Sequence, residues 1–332
     1  ESRRRFFPIR RRQRQDSSCG AFCSRGMNKF VMRQSLLLLL TATIWGVAFV
    51  AQSVGMDYMG PCTFNASRFL IGGVVLLPVI WTKERMEAKK GATGAPAKKN
   101  KSGALLPGGV CCGIALCAAS LLQQFGIRYT SVGKAGFLTT LYIVIVPLLG
   151  IFVRRIPGVK VWCSVVAALI GMYLLCISGS VRIGLGDALV IGCAFVFSIH
   201  ILVVDHFAEQ VDGVKLSCLQ FLTSGVICLV LAFLTEHPSW NALFAGIVPV
   251  LYAGVLSSGV GYTLQVVGQK KVEPTVASLI LSMESIFSVL AGWVILGQKL
   301  SARELLGCAL VFAAVICVQL PDKKKTKQVE TA

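Results

Sequence analysis

Apolar runs of roughly twenty residues recur from Ser35 to Leu320, divided by short polar stretches. A helix needs about 20 such residues to cross a bilayer core of about 30 Å. Ten runs lie near 35–54, 61–81, 104–125, 133–153, 159–178, 187–204, 214–235, 242–265, 275–297 and 303–320. Each predicts a transmembrane helix. The one long connection, 82–103, is rich in Lys, Ala and Gly and predicts a mobile loop. Nothing remains for a soluble domain.

Composition agrees with that pattern. The 332 residues are 55% hydrophobic and 14% charged, whereas a soluble domain carries about 25% charge. The net charge of +18 does not point to nucleic acid, because most Lys and Arg lie in the tails and in the loops between apolar runs. That placement reports topology. With the N-terminus inside, the cytoplasmic segments hold 27 Lys and Arg and the outer segments 5, with Arg68 inside a span. Both termini are therefore expected in the cytoplasm. Residues 1–26 are Arg-rich and aperiodic, and Met27-Asn28-Lys29 reads as a natural start. The first 26 residues are expected to be an over-extended reading frame or a disordered tail.

The 13 Cys fall mostly inside apolar runs, where Cys acts as a small packing residue. Neither a disulfide framework nor a metal site at Cys19 and Cys23 is expected, and no cofactor is implied.

The chain also aligns with itself. At an offset of 152, Asn65-Ala-Ser-Arg68-Phe69-Leu70-Ile-Gly-Gly73-Val74 lies on Ser217-Cys-Leu-Gln220-Phe221-Leu222-Thr-Ser-Gly225-Val226. At 142, Gln123-Gln-Phe-Gly126-Ile-Arg128 lies on Gln265-Val-Val-Gly268-Gln-Lys270, and Ala135 on Ala277. The drop of ten residues follows if the first half has the longer loop at 82–103. The expected fold is an all-α membrane protein of ten transmembrane helices in two inverted-topology five-helix repeats, 35–178 and 187–320. Basic cytoplasmic tails, 1–34 and 321–332, flank them. Five is odd, so the second copy threads the membrane in the opposite sense, a device of secondary transporters.

Trp45-Gly46, Arg68-Phe69, the run Gly136-Phe-Leu-Thr-Thr-Leu-Tyr142-Ile-Val-Ile-Val-Pro147, the run Ala277-Ser-Leu-Ile-Leu-Ser-Met-Glu284-Ser285 and Gly292-Trp293-Val-Ile-Leu-Gly297-Gln298 carry a family likeness. Over roughly 35–320 the chain resembles the EamA-type branch of the drug/metabolite transporter superfamily. Ser285 and Gln298 stand where that family usually has Pro and Glu. The resemblance implies ten helices in two inverted units, cytoplasmic termini, and export or exchange of small metabolites, with the substrate left open. The expected location is a bacterial inner (cell) membrane, and the bilayer and a small-molecule substrate are the expected partners.

Six span residues are substrate-cavity candidates. Glu284 lies near mid-span, where a carboxylate is costly in lipid. It either lines a cavity, pairing with a proton or a cation, or packs as a neutral acid against a hydroxyl. Tyr142, its repeat mate, either bonds a substrate or packs, on a helix expected to break at Pro147. Arg68 either draws an anionic group or snorkels to the outer headgroups, with neutral Gln220 as its mate. His200, out of helical register with Asp205 and His206, fits a polar contact between helices better than a proton relay or metal site. Trp45 and Trp293 sit inside spans and are possible cavity walls, unlike Trp81, Trp162 and Trp240 at span ends. The small-residue spacings Gly109-x-x-x-Gly113 and Gly254-x-x-x-Ser258 read as helix-packing surfaces.

No G-x-x-x-x-G-K-[ST], H-E-x-x-H or G-x-S-x-G occurs, so the chain is not expected to be an enzyme. The expected function is alternating-access transport of a small organic solute, either coupled to a proton through Glu284 or uncoupled. A non-transporting membrane sensor and a membrane-embedded enzyme are the alternatives. Oligomeric state stays open.

Overall fold

The structure is a computed structural model that describes residues 20–91, 102–130, 132–152, 157–176, 183–270, 272–296 and 301–319. Regular structure among these residues is wholly helical. The helices are α1 (Gly20–Gly55), α2 (Pro61–Gly91), α3 (Leu105–Ile127), α4 (Val132–Thr139), α5 (Tyr142–Phe152), α6 (Val159–Cys176), α7 (Leu185–Ala208), α8 (Gly213–Thr235), α9 (Trp240–Ala245), α10 (Ile247–Leu251), a π-helical segment (Tyr252–Tyr262), α11 (Thr263–Gly268), α12 (Pro274–Leu281), α13 (Glu284–Leu296) and α14 (Ala302–Gln319). Among the described residues eight stretches are long and apolar enough to span a membrane, where ten were expected, and Val159–Leu174 is a shorter apolar helix.

Polarity is arranged inside out. Leu36, Val74, Leu77, Ile114, Phe152, Phe233 and Val294 are exposed on the outer faces, while Gln52, Arg68, Gln123, Gln124, His200, Gln220, Gln265 and Glu284 are buried. That is the distribution of a chain whose outer solvent is lipid, where polar side chains face the bundle interior.

Helix α2 packs along α8 as the central pair. Cys62 meets Glu236, Leu70 meets Gly225, Gly73 meets Leu222 and Lys83 meets Asp212. One number rises as the other falls, so the two helices run antiparallel. Their contacts are also reciprocal. A Cβ on Gly73 would lie 2.9 Å from Leu222, and one on Gly225 would lie 2.8 Å from Leu70; Gly73 and Gly225 are 152 apart, as are Leu70 and Leu222. Phe69 and Phe221, also mates, stack with ring centroids 6.2 Å apart. A side chain at either position would push on the partner's leucine.

The same exchange recurs in the outer helices. Gly126 of α3 abuts Val190 and the Gly186 carbonyl of α7, and Gly268 abuts Leu38 and the Gln34 carbonyl of α1. Gly113 abuts Thr223 and the Gln220 carbonyl, and Gly254 abuts Ile71 and the Arg68 carbonyl. The small residues at 113 and 254 thus let backbones approach closely.

Termini of the helices are capped by the residues the sequence supplies. Asp212 accepts from the Val214 and Lys215 N–H groups at the start of α8. Ser301 and Glu304 form a reciprocal capping box ahead of α14. Pro274 opens α12, where its missing N–H costs nothing. The start of α2 is capped from another helix: Glu236 accepts from the Cys62 and Thr63 N–H groups at 2.8 Å each.

Several boundaries differ from the sequence reading. Helix α2 does not end at 81 but runs to Gly91, so the first ten residues of the expected loop are helical. Good helix formers fill 83–90, and this turn is tied to α8 by Lys83 with Asp212 and by Glu84 with Lys215. Helix α1 begins at Gly20, upstream of the expected start, because a helix nucleated by its apolar run extends at little cost per residue. Residues 1–19, 92–101 and 321–332 lie outside the described residues, as do Cys19 and Gln298.

The spans read as continuous over 133–153 and 275–297 are each broken. The break in the first lies at Thr140–Leu141, with Pro147 inside α5, not at Pro147 as expected. The two breaks are built alike. Thr140 Oγ1 donates to the Phe137 carbonyl at 2.8 Å and Ser282 Oγ to the Leu279 carbonyl at 2.7 Å. Leu141 N–H bonds Leu138 O and Met283 N–H bonds Ile280 O, both over three residues. A hydroxyl competing for a helical carbonyl, with a tightened turn, ends one helix and starts the next. Proline is not the cause in either copy.

Candidate functional site

The breaks deliver Tyr142 and Glu284 as the first residues of α5 and α13. Both are buried, and the Tyr142 hydroxyl donates to Glu284 Oε1 at 3.1 Å. This bond satisfies one oxygen of a carboxyl group that would otherwise be strongly disfavoured inside the bundle.

The pair lies on a narrow cavity of about 30 Å³. Its walls are Trp45, Ala48, Phe49, Gln52, Arg68, Gln123, Thr139, Tyr142, Phe197, Ile201, Ser257, Tyr262, Gln265, Leu281 and Glu284. Most of the wall is paired across the two halves of the chain. Trp45 with Phe197 and Phe49 with Ile201 are 152 apart; Gln123 with Gln265, Thr139 with Leu281 and Tyr142 with Glu284 are 142 apart.

Trp45 is held in the wall by two contacts. Its Nε1–H donates to the Ser257 carbonyl at 3.2 Å, and its ring packs on Tyr262 with centroids 4.5 Å apart. Ser257 and Tyr262 belong to the π-helical segment. Thr41 Oγ1 of α1 also donates into that segment, to the Gly261 carbonyl at 3.2 Å. Gly261 is required there, since a Cβ would lie 2.7 Å from Trp45 Nε1. Wide turns of this kind recur at functional sites.

Arg68 is 1% exposed and does not snorkel. It lies against the Phe69 ring, 4.6 Å from its centroid, and reaches the cavity. Its Nε and Nη2 are buried and have no hydrogen-bond partner in the protein. Gln220, the mate of Arg68, is buried and accepts from His200 Nε2–H at 3.1 Å. That bond fixes the imidazole tautomer. His200 is thus a polar contact between α7 and α8, in edge contact with Tyr262 behind the cavity wall.

Trp45, Arg68, Tyr142 and Glu284 are brought together, and His200 stands one layer behind. Trp293 is not with them: it is 51% exposed on the outer face of α13 and forms no part of the wall. The break at Ser282–Met283 starts a new helix at Glu284, and Trp293 lies on its exposed side. Residues missed as wall members include Gln123, Gln265, Phe197 and Tyr262. Gln123 and Gln265 served to align the repeat, and a polar residue kept at one position in both apolar copies was the available signal. Among the described residues no group of three or more His, Cys, Asp or Glu is placed to hold a metal ion.

Comparison with known proteins agrees with this arrangement. The EamA-like transporter family model matches the chain twice, over residues 32–177 and 184–320. An uncharacterized transporter of Archaeoglobus fulgidus is 26% identical over 284 residues, covering 85% of this chain and 84% of its own. The uncharacterized transporter YwfM of Bacillus subtilis is 24% identical over 304 residues, covering 89% and 96%. A solved crystal structure shares the fold with a TM-score of 0.71 at 15% identity, covering 86% of this chain and 96% of its own. With its helical, inside-out architecture and two successive matches, the chain belongs to the EamA-like transporter family.

Proposed function

We propose that the chain is a secondary transporter that carries a small organic solute by alternating access of the cavity between α1, α2, α5, α7 and α13. The observation that carries this reading is the composition of the cavity wall: five pairs of residues at the repeat offsets of 152 and 142 line it together. A site between two like halves can open to either side when one half rocks on the other. The reciprocal glycine contacts of the antiparallel α2 and α8 support two inverted five-helix repeats, 35–178 and 187–320, and a total of ten membrane helices. The excess of Lys and Arg in one set of loops supports cytoplasmic termini, here in a bacterial inner (cell) membrane.

Glu284 is the proposed proton-coupling group. It is a buried carboxyl group on the cavity that accepts from the Tyr142 hydroxyl, so a change of charge there is felt directly by a bound solute. The test is solute flux in proteoliposomes across pH for wild type and Glu284→Gln. The wild-type rate should depend on pH, and the variant should stay at the protein-free rate at every pH. Full wild-type pH dependence in Glu284→Gln would end the coupling proposal.

A further inference from the structure

The cavity holds one fixed cation whose donors point to a particular kind of ligand. Arg68 is 1% exposed, and its Nε and Nη2 are both buried without a hydrogen-bond partner in the protein. These two nitrogens form one edge of the guanidinium, and their N–H bonds run nearly parallel. A planar two-oxygen anion matches that edge bidentately. The Phe69 face contacts the guanidinium, with its carbon 4.6 Å from the ring centroid. The position equivalent to Arg68 in the second half is Gln220, whose Oε1 is taken by His200. The cation is thus on one side of the cavity only.

The remaining wall limits what the anion is attached to. Trp45, Phe49, Phe197 and Tyr262 supply aromatic surface, which favours an apolar body. Gln123 Nε2 is engaged with Thr139 Oγ1 at 3.2 Å, and Glu284 Oε1 with the Tyr142 hydroxyl. Arg68 is therefore the wall's strongest free donor. A buried guanidinium edge without an acceptor is costly, and a ligand that brings one recovers that cost on binding.

We infer that the solute is an organic monocarboxylate, its two oxygens on Nε and Nη2 of Arg68 and its apolar body against the Trp45 and Tyr262 rings. This rests on the cavity being the transport site. Arg68 would then be the residue that selects acids over amines and amides of the same shape.

The experiment uses the purified full chain in proteoliposomes with three matched sets of labelled probes: the carboxylates acetate, benzoate and 3-phenylpropanoate, their amides, and amines of equal length. At pH 7 the carboxylates are ionised. Binding is read by equilibrium displacement and transport by counterflow. Wild type should bind and move at least one aryl carboxylate in preference to its amide and amine. Arg68→Gln should weaken that binding by at least about tenfold and weaken amide binding by less. Arg68→Lys, which keeps the charge but not the fork, should fall between them. Thermal unfolding of each variant without ligand checks that it is folded, and a carboxylate should raise the midpoint of wild type more than that of either variant.

Preference for amides or amines, or carboxylate binding equal in wild type and Arg68→Gln, overturns the inference and leaves transport standing. Absence of carboxylate binding in wild type overturns it as well. Arg68-dependent carboxylate binding without counterflow supports the ligand class and instead defeats the transport reading.

Discussion

The Tyr142 hydroxyl bonds Glu284 Oε1 at 3.1 Å across 142 positions of sequence, and 142 is also the offset between the helices they open. Helix α4 spans Val132–Thr139 and α12 spans Pro274–Leu281, so both ends are displaced by that same number. Two equivalent residues of unlike chemistry, a phenol and an acid, therefore meet where the two half-helices begin. Removing the donor alone, in Tyr142→Phe, leaves a buried carboxyl oxygen without its partner. Such a loss costs about 1–3 kcal/mol, so thermal unfolding should begin at lower temperature. If the carboxyl group couples to transport, the pH profile of flux should also shift in this variant while the ring still fills its place.

The reciprocal packing of α2 on α8 makes a paired rescue possible. Gly73→Ala puts a methyl group 2.9 Å from Leu222 and Gly225→Ala one 2.8 Å from Leu70. Overpacking of this kind costs about 1–3 kcal/mol. Leu222→Ala should recover stability in the first case and Leu70→Ala in the second, with the crossed combinations recovering none. Relief should be less complete at Gly225, whose Cβ also lies 3.2 Å from the Leu70 backbone nitrogen. Unfolding in detergent, read as a double-mutant cycle, measures both couplings.

Two tryptophans of similar sequence context should separate cleanly. Trp45 is fixed in the wall by Ser257 and Tyr262, whereas Trp293 lies on the outer face. Trp45→Ala is expected to abolish solute flux. Trp293→Ala should leave flux within about twofold of wild type, as for a side chain outside the packed interior. Flux assays at equal reconstituted protein decide it, and equal loss in both variants would contradict the assignment of the cavity.

The end of the central pair near Asp212 should be sensitive to acid. Burial alone would raise the Asp212 pKa, but hydrogen bonds from Lys83 and from the backbone N–H groups of Lys215 and Val214 outweigh it and hold the carboxyl below its ordinary value. A carboxyl whose folded pKa is depressed stabilises fully above its unfolded value, about 3.9, and loses that contribution as pH falls through the folded one. Lys83 is 38% exposed, so the ion pair is worth about 1 kcal/mol or less. Unfolding midpoints should fall on acidification below about pH 4, and Asp212→Asn should flatten that segment of the curve.

How much of this was legible in the sequence depended on what each signal reports. Hydropathy located the helices, since span length is set by the bilayer. The self-alignment at Phe69 and Phe221 marked residues that stack on one another, because the pair lies where the halves meet. Glu284 and Arg68 stood out because their cost in lipid is large. The breaks at Thr140–Leu141 and Ser282–Met283 were hidden: they depend on hydroxyls bonding carbonyls three residues back, and Thr and Ser do this at many positions without ending a helix. Trp293 was misplaced for a related reason, since one residue turns a helix by 100° and hydropathy carries no information on facing. Tyr262 was missed because an aromatic residue in an apolar run looks alike in a wall and in a packed interface.

The cavity around Tyr142 and Glu284 is proposed to carry solute across the membrane. Its most direct test is the metabolite content of medium and cells for strains expressing wild type, Glu284→Gln or no transporter, with membrane levels of the two proteins matched. At least one small solute should accumulate in the medium with wild type and return to the transporter-free level with Glu284→Gln. A solute moved equally well by wild type and Glu284→Gln, or no solute distinguishing wild type from the transporter-free strain, would contradict it.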